Sequence, residues 1–216
     1  YSITNTMQKA LQILFALPLL LAASCSSVKY DDPNGVETLT NDFGSTDLQT
    51  MAADMSASLL ASSSLSYLEH SGKGEDKRII MYVGDIENRT TEHIDTQGIS
   101  DSIRVRLMQA GKFRFVAGDA GQTEIGDQVS FQQGSGRVDG AMAKAFGKQL
   151  GADVVMYGTL RSIDKEKGRS LESLGNKKED VFYQFVLTAV NIETGEFLWS
   201  AESTLRKRST TGIFGR

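Results

Sequence analysis

Two histidines, one cysteine and scattered serines and aspartates are the residues of this chain that could carry catalysis. His70 and His93 have side chains whose ordinary pKa suits general-base work. His70 stands beside a polar turn and His93 in a predicted loop. A Ser-His-Asp set has no fixed spacing and stays open on sequence alone, but no G-x-S-x-G elbow occurs. Gly134-Ser135-Gly136 and the pair Gly118 and Gly121 lack the Gly-Lys-Ser/Thr continuation of a phosphate loop. Asp153, Asp164 and Asp180 lack calcium-loop spacing, and one cysteine with two histidines makes no zinc site. The expectation is a chain that is not an enzyme and holds no metal or cofactor.

Bulk properties narrow the class further. The chain has 216 residues, a net charge of −4 and 40% hydrophobic residues, enough for one sizeable core. An acidic balance, with a pI near 5.3, argues against a nucleic-acid binder, which needs a basic surface for phosphate. The run Arg206-Lys207-Arg208 reads first as a solvated sheet edge, with contact to an acidic partner or anionic glycan as the alternative.

Cys25 has a different chemistry, acylation. Lys9 precedes an apolar run from Leu11 to Ala23, and Ser24 follows. A positive charge, a short apolar core and small residues are the layout of a secretory signal. The run is too short to span a bilayer comfortably. Cys25 after Ala22-Ala23-Ser24 resembles the bacterial lipobox, with Leu21 one place earlier than usual. An ordinary secretory signal with a chance cysteine is the alternative. The expectation is that residues 1–24 are a signal peptide starting at Met7, that Cys25 is lipidated, and that Ser26 directs sorting to the outer membrane. Residues 25–45, polar and rich in Ser, Asp and Asn, then form a flexible tether.

Periodicity supplies the elements that follow. Thr46 with Gln49 is a capping-box pattern opening a helix with Leu48, Met51, Met55 and Leu59 on one face. Residues 78–86 form a buried strand. Asp95 or Thr96 caps a helix burying Ile99, Ile103, Leu107 and Ala110, and Gly111 ends it. Residues 112–116 make a short strand. Residues 117–136, glycine-rich and aperiodic, are expected to be a mobile loop. Asp139 is placed to cap a helix over 140–150 that buries Met142, Phe146 and Leu150. Strands over 152–163, 181–192 and 196–202 make an antiparallel meander, with a solvated loop at 164–180. Val181, Tyr183, Phe185, Leu187 and Ala189 face one way, and Phe197 and Trp199 share a face. The predicted fold is a single α+β domain, 46–208: a mixed, largely antiparallel sheet packed against about three to four helices. Residues 209–216 are predicted to be a tail.

Four segments carry a family resemblance. Tyr82-Val83-Gly84-Asp85-Ile86-Glu87-Asn88-Arg89-Thr90 resembles the strand-then-NRT segment of the penicillin-binding-protein activator family LpoB. Leu150-Gly151-Ala152-Asp153-Val154-Val155-Met156-Tyr157-Gly158 is similar to its GADYxLYG strand, and Val181-Phe182-Tyr183-Gln184-Phe185 with Asn191-Ile192-Glu193-Thr194-Gly195-Glu196-Phe197-Leu198-Trp199 to its last hairpin. The resemblance implies a non-enzymatic lipoprotein, anchored by lipid at the periplasmic face of the outer membrane. It would bind the accessory domain of a bifunctional class A penicillin-binding protein and activate peptidoglycan synthesis. The tether here is shorter than the long Pro-rich one of enteric family members. Aromatics and arginines are the usual anchors of an interface, which makes Asn88, Arg89, Arg161, Tyr183 and Trp199 the candidate partner-binding residues. The alternative is an oligomeric envelope assembly or secretion lipoprotein related to CsgG or to a flagellar outer-membrane component, and self-association stays open.

Overall fold

Leu48, Met51, Met55 and Leu59 do line one face of a helix, α1, Ser45–Ala61. The last three are buried and Leu48 is partly so. The start differs from the capping-box pattern. The Thr46 hydroxyl accepts the Glu37 N–H at 2.8 Å, and the Asp47 carboxylate accepts the Gly44 N–H at 2.9 Å. The N-cap is therefore Gly44, two residues before the predicted Thr46, with Asp47 at the position expected for Gln49. Helix α2, Thr96–Gln109, begins as predicted: the Asp95 carboxylate accepts the Gln97 N–H at 3.1 Å. Ile99, Ile103 and Leu107 are buried, whereas Ala110 is exposed at the C-cap. Gly111 follows with φ +69°, a left-handed conformation that glycine adopts without strain.

These observations come from a computed structural model that describes residues 32, 33, 35–37, 40–68, 75–144, 151–168 and 176–212. The chain divides into two units, Tyr1–Gly35 and Val36–Arg216. In the first, the described residues make a turn in which the Gly35 N–H donates to the Asp32 carbonyl at 2.9 Å. The second holds the helices and one sheet. Cys25 and His70 lie outside the described residues.

The sheet has five strands: β1 Ile79–Arg89, β2 Phe113–Phe115, β3 Val154–Lys167, β4 Lys177–Asn191 and β5 Phe197–Thr211. Their order is β2-β1-β3-β4-β5. β2 and β3 flank β1 in parallel, each reached through a crossover, and β3-β4-β5 is the predicted antiparallel meander. Strand alternation puts Met156 and Leu160 of β3, Tyr183, Phe185, Leu187 and Ala189 of β4, and Trp199 of β5 on one face, all buried. Met51, Met55, Leu59, Ile99, Ile103 and Leu107 of the two helices close over that face as one core. The predicted α+β architecture, a mixed sheet with helices against it, is the observed one.

Several expectations need correction. Residues 117–136 hold a helix, α3 Asp119–Gly134, where a mobile loop was predicted. Each internal glycine costs roughly 0.5–1 kcal/mol against alanine. Good helix formers between them offset that cost, and no proline interrupts the run. Only Val129 among these residues is buried, so the helix leaves almost no periodic signature. Asp139 caps a turn, its carboxylate accepting the Ala141 N–H at 3.0 Å, but Met142 is exposed, not buried. Residues 145–150 of the predicted helix lie outside the described residues. The meander runs further than apolar alternation suggested. β3 and β4 extend into the charged segment, where Lys177 bridges Glu166 and Glu179 at 3.1 and 2.5 Å. β5 takes in the predicted tail as far as Thr211. Phe197 is exposed, because a register shift at Ala189/Val190 breaks its parity with Trp199.

Gly158 shows how tightly the meander is built. A Cβ there would meet the Val186 carbonyl oxygen at 2.6 Å and Leu187 Cδ1 at 3.1 Å. Gly158→Ala is expected to destabilise the domain by about 1–3 kcal/mol in chemical denaturation. Gly140→Ala, with nothing within 4 Å, is expected to stay within about 0.5 kcal/mol of the parent.

Candidate partner-binding surface

The Asn88-Arg89-Thr90 segment divides its labour. The Asn88 side-chain carbonyl accepts from the Thr90 N–H at 2.9 Å and from the Thr90 hydroxyl at 2.8 Å, while its amide donates to the Glu92 carbonyl at 2.9 Å. Asn88 is thus a turn former that aims Glu92 inward. The Glu92 carboxylate accepts the Phe43 N–H at 2.8 Å with one oxygen and the Tyr183 hydroxyl with the other. The Asn41 carbonyl oxygen lies 3.1 Å from the same hydroxyl, and the Phe43 ring packs edge-on to Tyr183 at 5.5 Å. Lys207 donates to the Asp42 carbonyl at 2.6 Å and to the Asp47 carboxylate at 2.8 Å. Residues 41–47 are therefore part of the domain, and the expected tether boundary at residue 45 moves back to the Gly35/Val36 division.

The other family-like segments are also scaffold. Asp153 links three strands: its carboxylate accepts the Ile80 N–H at 2.9 Å, its N–H donates to the Ile80 carbonyl at 2.7 Å, and its carbonyl accepts the Ile192 N–H at 2.9 Å. Asn191 closes the last turn, its side chain accepting the N–H groups of Glu193 and Thr194 at 2.9 and 3.3 Å, with Gly195 at φ +75°. Tyr183 is fully buried and Trp199 is 8% exposed. Their side chains belong to the core, where the expectation had them meeting a partner: alternation points both at the helices.

Arg89 and Arg161 stand differently. They are cross-strand partners on β1 and β3, and both are exposed. Like charges opposite one another repel, and Glu87 relieves this. Its carboxylate accepts Arg89 Nε at 2.8 Å, and its pKa is held below the usual carboxylate value, first by that hydrogen bond and further by the Arg161 charge. On the same face of β3, Tyr157 and Ile163 flank Arg161 at 44% and 57% exposure, and Phe182 is the cross-strand neighbour of Ile163. This face is exposed around Arg161 and Ile163 but covered near the start of β1, where Ile80 is buried. The result is a patch of two guanidiniums, one carboxylate and exposed apolar side chains on a rigid sheet. Such a surface suits an acidic partner with an apolar anchor point. Tyr157 and Ile163 share residue parity with Arg161, so the alternation of β3 already pointed to them.

Among the described residues no cluster of three or more His, Cys, Asp or Glu side chains is placed to hold a metal ion. No described helix is long and apolar enough to cross a membrane. His93 is exposed on the β1–α2 connection, close to Asp95, whose carboxylate is occupied in capping α2.

The buried hydroxyl of Tyr183 gives a direct test of the network. Burial, and then the hydrogen bond to Glu92, push its pKa well above the ordinary tyrosine value. The folded state keeps this proton where the unfolded chain loses it. That stability is therefore complete below about pH 10 and is lost as pH rises beyond it. Tyr183→Phe is expected to cost about 1–3 kcal/mol at neutral pH, because it leaves Glu92 short of a donor. It is also expected to flatten the decline in stability above about pH 10, measured by denaturation across pH.

Among curated proteins, none matches the chain in sequence. Among solved structures the chain is similar to the LpoB C-terminal domain from Escherichia coli, with 16% identity over 73% of this chain and 94% of that one and a TM-score of 0.37. The LpoB C-terminal domain from Salmonella enterica is similar at 14% identity, with the same 73% and 94% coverage and a TM-score of 0.36. Lipoprotein GNA1162 from Neisseria meningitidis is similar at 19% identity over 61% of this chain and 84% of that one, with a TM-score of 0.35. The family model described as peptidoglycan-synthase activator LpoB matches residues 47–205, a span that holds α1 from Asp47 onward, β1 to β4 whole and all four of the segments quoted above. By that match over most of its length, the chain belongs to the LpoB family of peptidoglycan-synthase activators.

Proposed function

We propose that this protein is a lipid-anchored outer-membrane activator that binds the accessory domain of a bifunctional class A penicillin-binding protein. The observation that carries the reading is the family match over residues 47–205. The exposed Arg89–Arg161 pair beside Tyr157 and Ile163 supplies a surface for it. Asn88, Tyr183 and Trp199 serve it from behind. Asn88 shapes the loop after β1, and the two aromatics stiffen the sheet that presents the arginines. Activation requires the regulator to bind the active arrangement of the synthase more tightly than the inactive one. A tenfold effect needs about 1.4 kcal/mol of that preference.

The anchor is Cys25, after removal of residues 1–24. Each buried methylene of its acyl chains contributes about 0.8 kcal/mol, so a multiply acylated protein stays on its membrane. The tether of this proposal is the segment between Cys25 and the second unit, which begins at Val36; ten residues span at most about 35 Å.

In binding assays of the full chain with a purified class A penicillin-binding protein, Arg89→Glu and Arg161→Glu are each expected to weaken affinity by about tenfold or more. Their thermal stability should stay close to the parent's, because both side chains are exposed. Stimulation of glycan-strand synthesis should fall in parallel. Absence of binding and stimulation by the unaltered chain, or wild-type behaviour of both variants, would reject the reading. Separately, Cys25→Ala is expected to abolish incorporation of labelled palmitate and to move the protein from the membrane to the soluble fraction.

A further inference from the structure

Among the described strands β5 lies at an edge: β4 is its one neighbour in the five-strand order, so its far side carries backbone donors and acceptors that no described strand pairs. At 15 residues it is a long edge, and long open edges are templates for pairing unless charge or geometry prevents it. Arg206, Lys207 and Arg208 oppose alignments whose two-fold axis falls within the run from Arg206 to Arg208. We infer that the β5 edge pairs antiparallel with β5 of a second copy of this chain, about a two-fold axis through Thr204. This inference does not depend on the partner assigned above.

Register and charge carry the inference together. The strand runs from Phe197 to Thr211, so Thr204 is its midpoint, and an axis there overlaps the strand along its whole length. In that register Glu202 stands opposite Arg206 of the second copy, and the symmetry makes the contact twice. Both side chains are exposed and lie on the same, uncovered face of the sheet. Arg206 already donates from Nε to Asp180 at 2.8 Å, and its guanidinium has further donors to offer. Ser200 falls opposite Arg208, Ala201 opposite Lys207, Ser203 opposite Leu205, and Thr204 opposite itself. No like charges meet anywhere along the overlap. An axis at Lys207 would instead place Arg206 against Arg208 and lysine against lysine, which is unfavourable. The cationic run thus excludes that register and accepts the full-length one.

Disulfide trapping in the full chain, expressed in a bacterial envelope, tests the axis. Thr204→Cys should give an oxidised band at twice the chain mass, well above any background from Cys25 in the unaltered chain. Ser200→Cys alone should not, because its two copies would sit roughly 27 Å apart along the strand, far beyond the span of about 7 Å that a disulfide tolerates. Ser200→Cys co-expressed with Arg208→Cys should link. On the Thr204→Cys background, Glu202→Arg or Arg206→Glu should each lower the cross-linked fraction by about tenfold, and co-expression of the two should restore it. No dimer from Thr204→Cys, or equal linking from Ser200→Cys, would overturn the inference. If a charge variant melts early, the Thr204/Ser200 contrast still decides.

Discussion

The Glu92 carboxylate is the group that the rest of the domain has to accommodate. A carboxylate drawn into the interface between a loop, a strand and the entry to a helix is tolerated only if its oxygens are bonded. Glu92 meets that condition with the Tyr183 hydroxyl and the Phe43 N–H, partners 91 and 49 residues away in sequence. Three otherwise separate parts are thereby held in one arrangement: the end of β1, the middle of β4 and the segment leading into α1. The second tie, Lys207 to Asp47 and to the Asp42 carbonyl, fixes the same segment from β5. Weakening either tie would loosen the approach to α1 before it disturbed the meander.

The signature segments of the family gain a physical meaning from this. Asn88 and Thr90 close the turn that delivers Glu92, Asp153 joins β1 to β3 and to the residue after β4, Gly158 lets β4 approach, and Asn191 closes the last hairpin. Each satisfies a backbone requirement inside the fold. Glu87, Arg89 and Tyr157 differ, exposed although they lie within these segments. A family recognisable by such residues is recognisable by its scaffold.

This also explains what the sequence disclosed. Ile99, Ile103 and Leu107, or Tyr183, Phe185 and Leu187, repeat with the period of their element because one face is buried, so helix and strand could be read directly. α3 buries a single side chain, and a helix with one buried residue has no period to read. The far ends of β3, β4 and β5 are held by cross-strand charges such as Lys177 with Glu166 and Glu179, and Asp180 with Arg206. Those residues look like loop when counted by polarity. Tyr183 and Trp199 were legible as aromatics that matter, but aromatic content alone does not separate anchor from core. Glu92 had no local mark at all, because its role depends on two partners distant in the chain.

The uncovered sheet face and the β5 edge lie at right angles, and this decides how they can work together. Antiparallel edge pairing has its two-fold axis perpendicular to the sheet, so residues on one face of a strand meet residues on the same face of its mate. In a dimer formed through β5, both Arg89–Arg161 patches would therefore look out from one side of a continuous ten-strand sheet, with α1 and α2 of both copies on the other. The pairing would consume Glu202 and Arg206, which lie near the shared edge, and leave Arg161 two strands away and free. A surface duplicated on one side can engage two partners held in a common plane, or two sites on one partner. The second engagement would gain from effective concentration without any new contact.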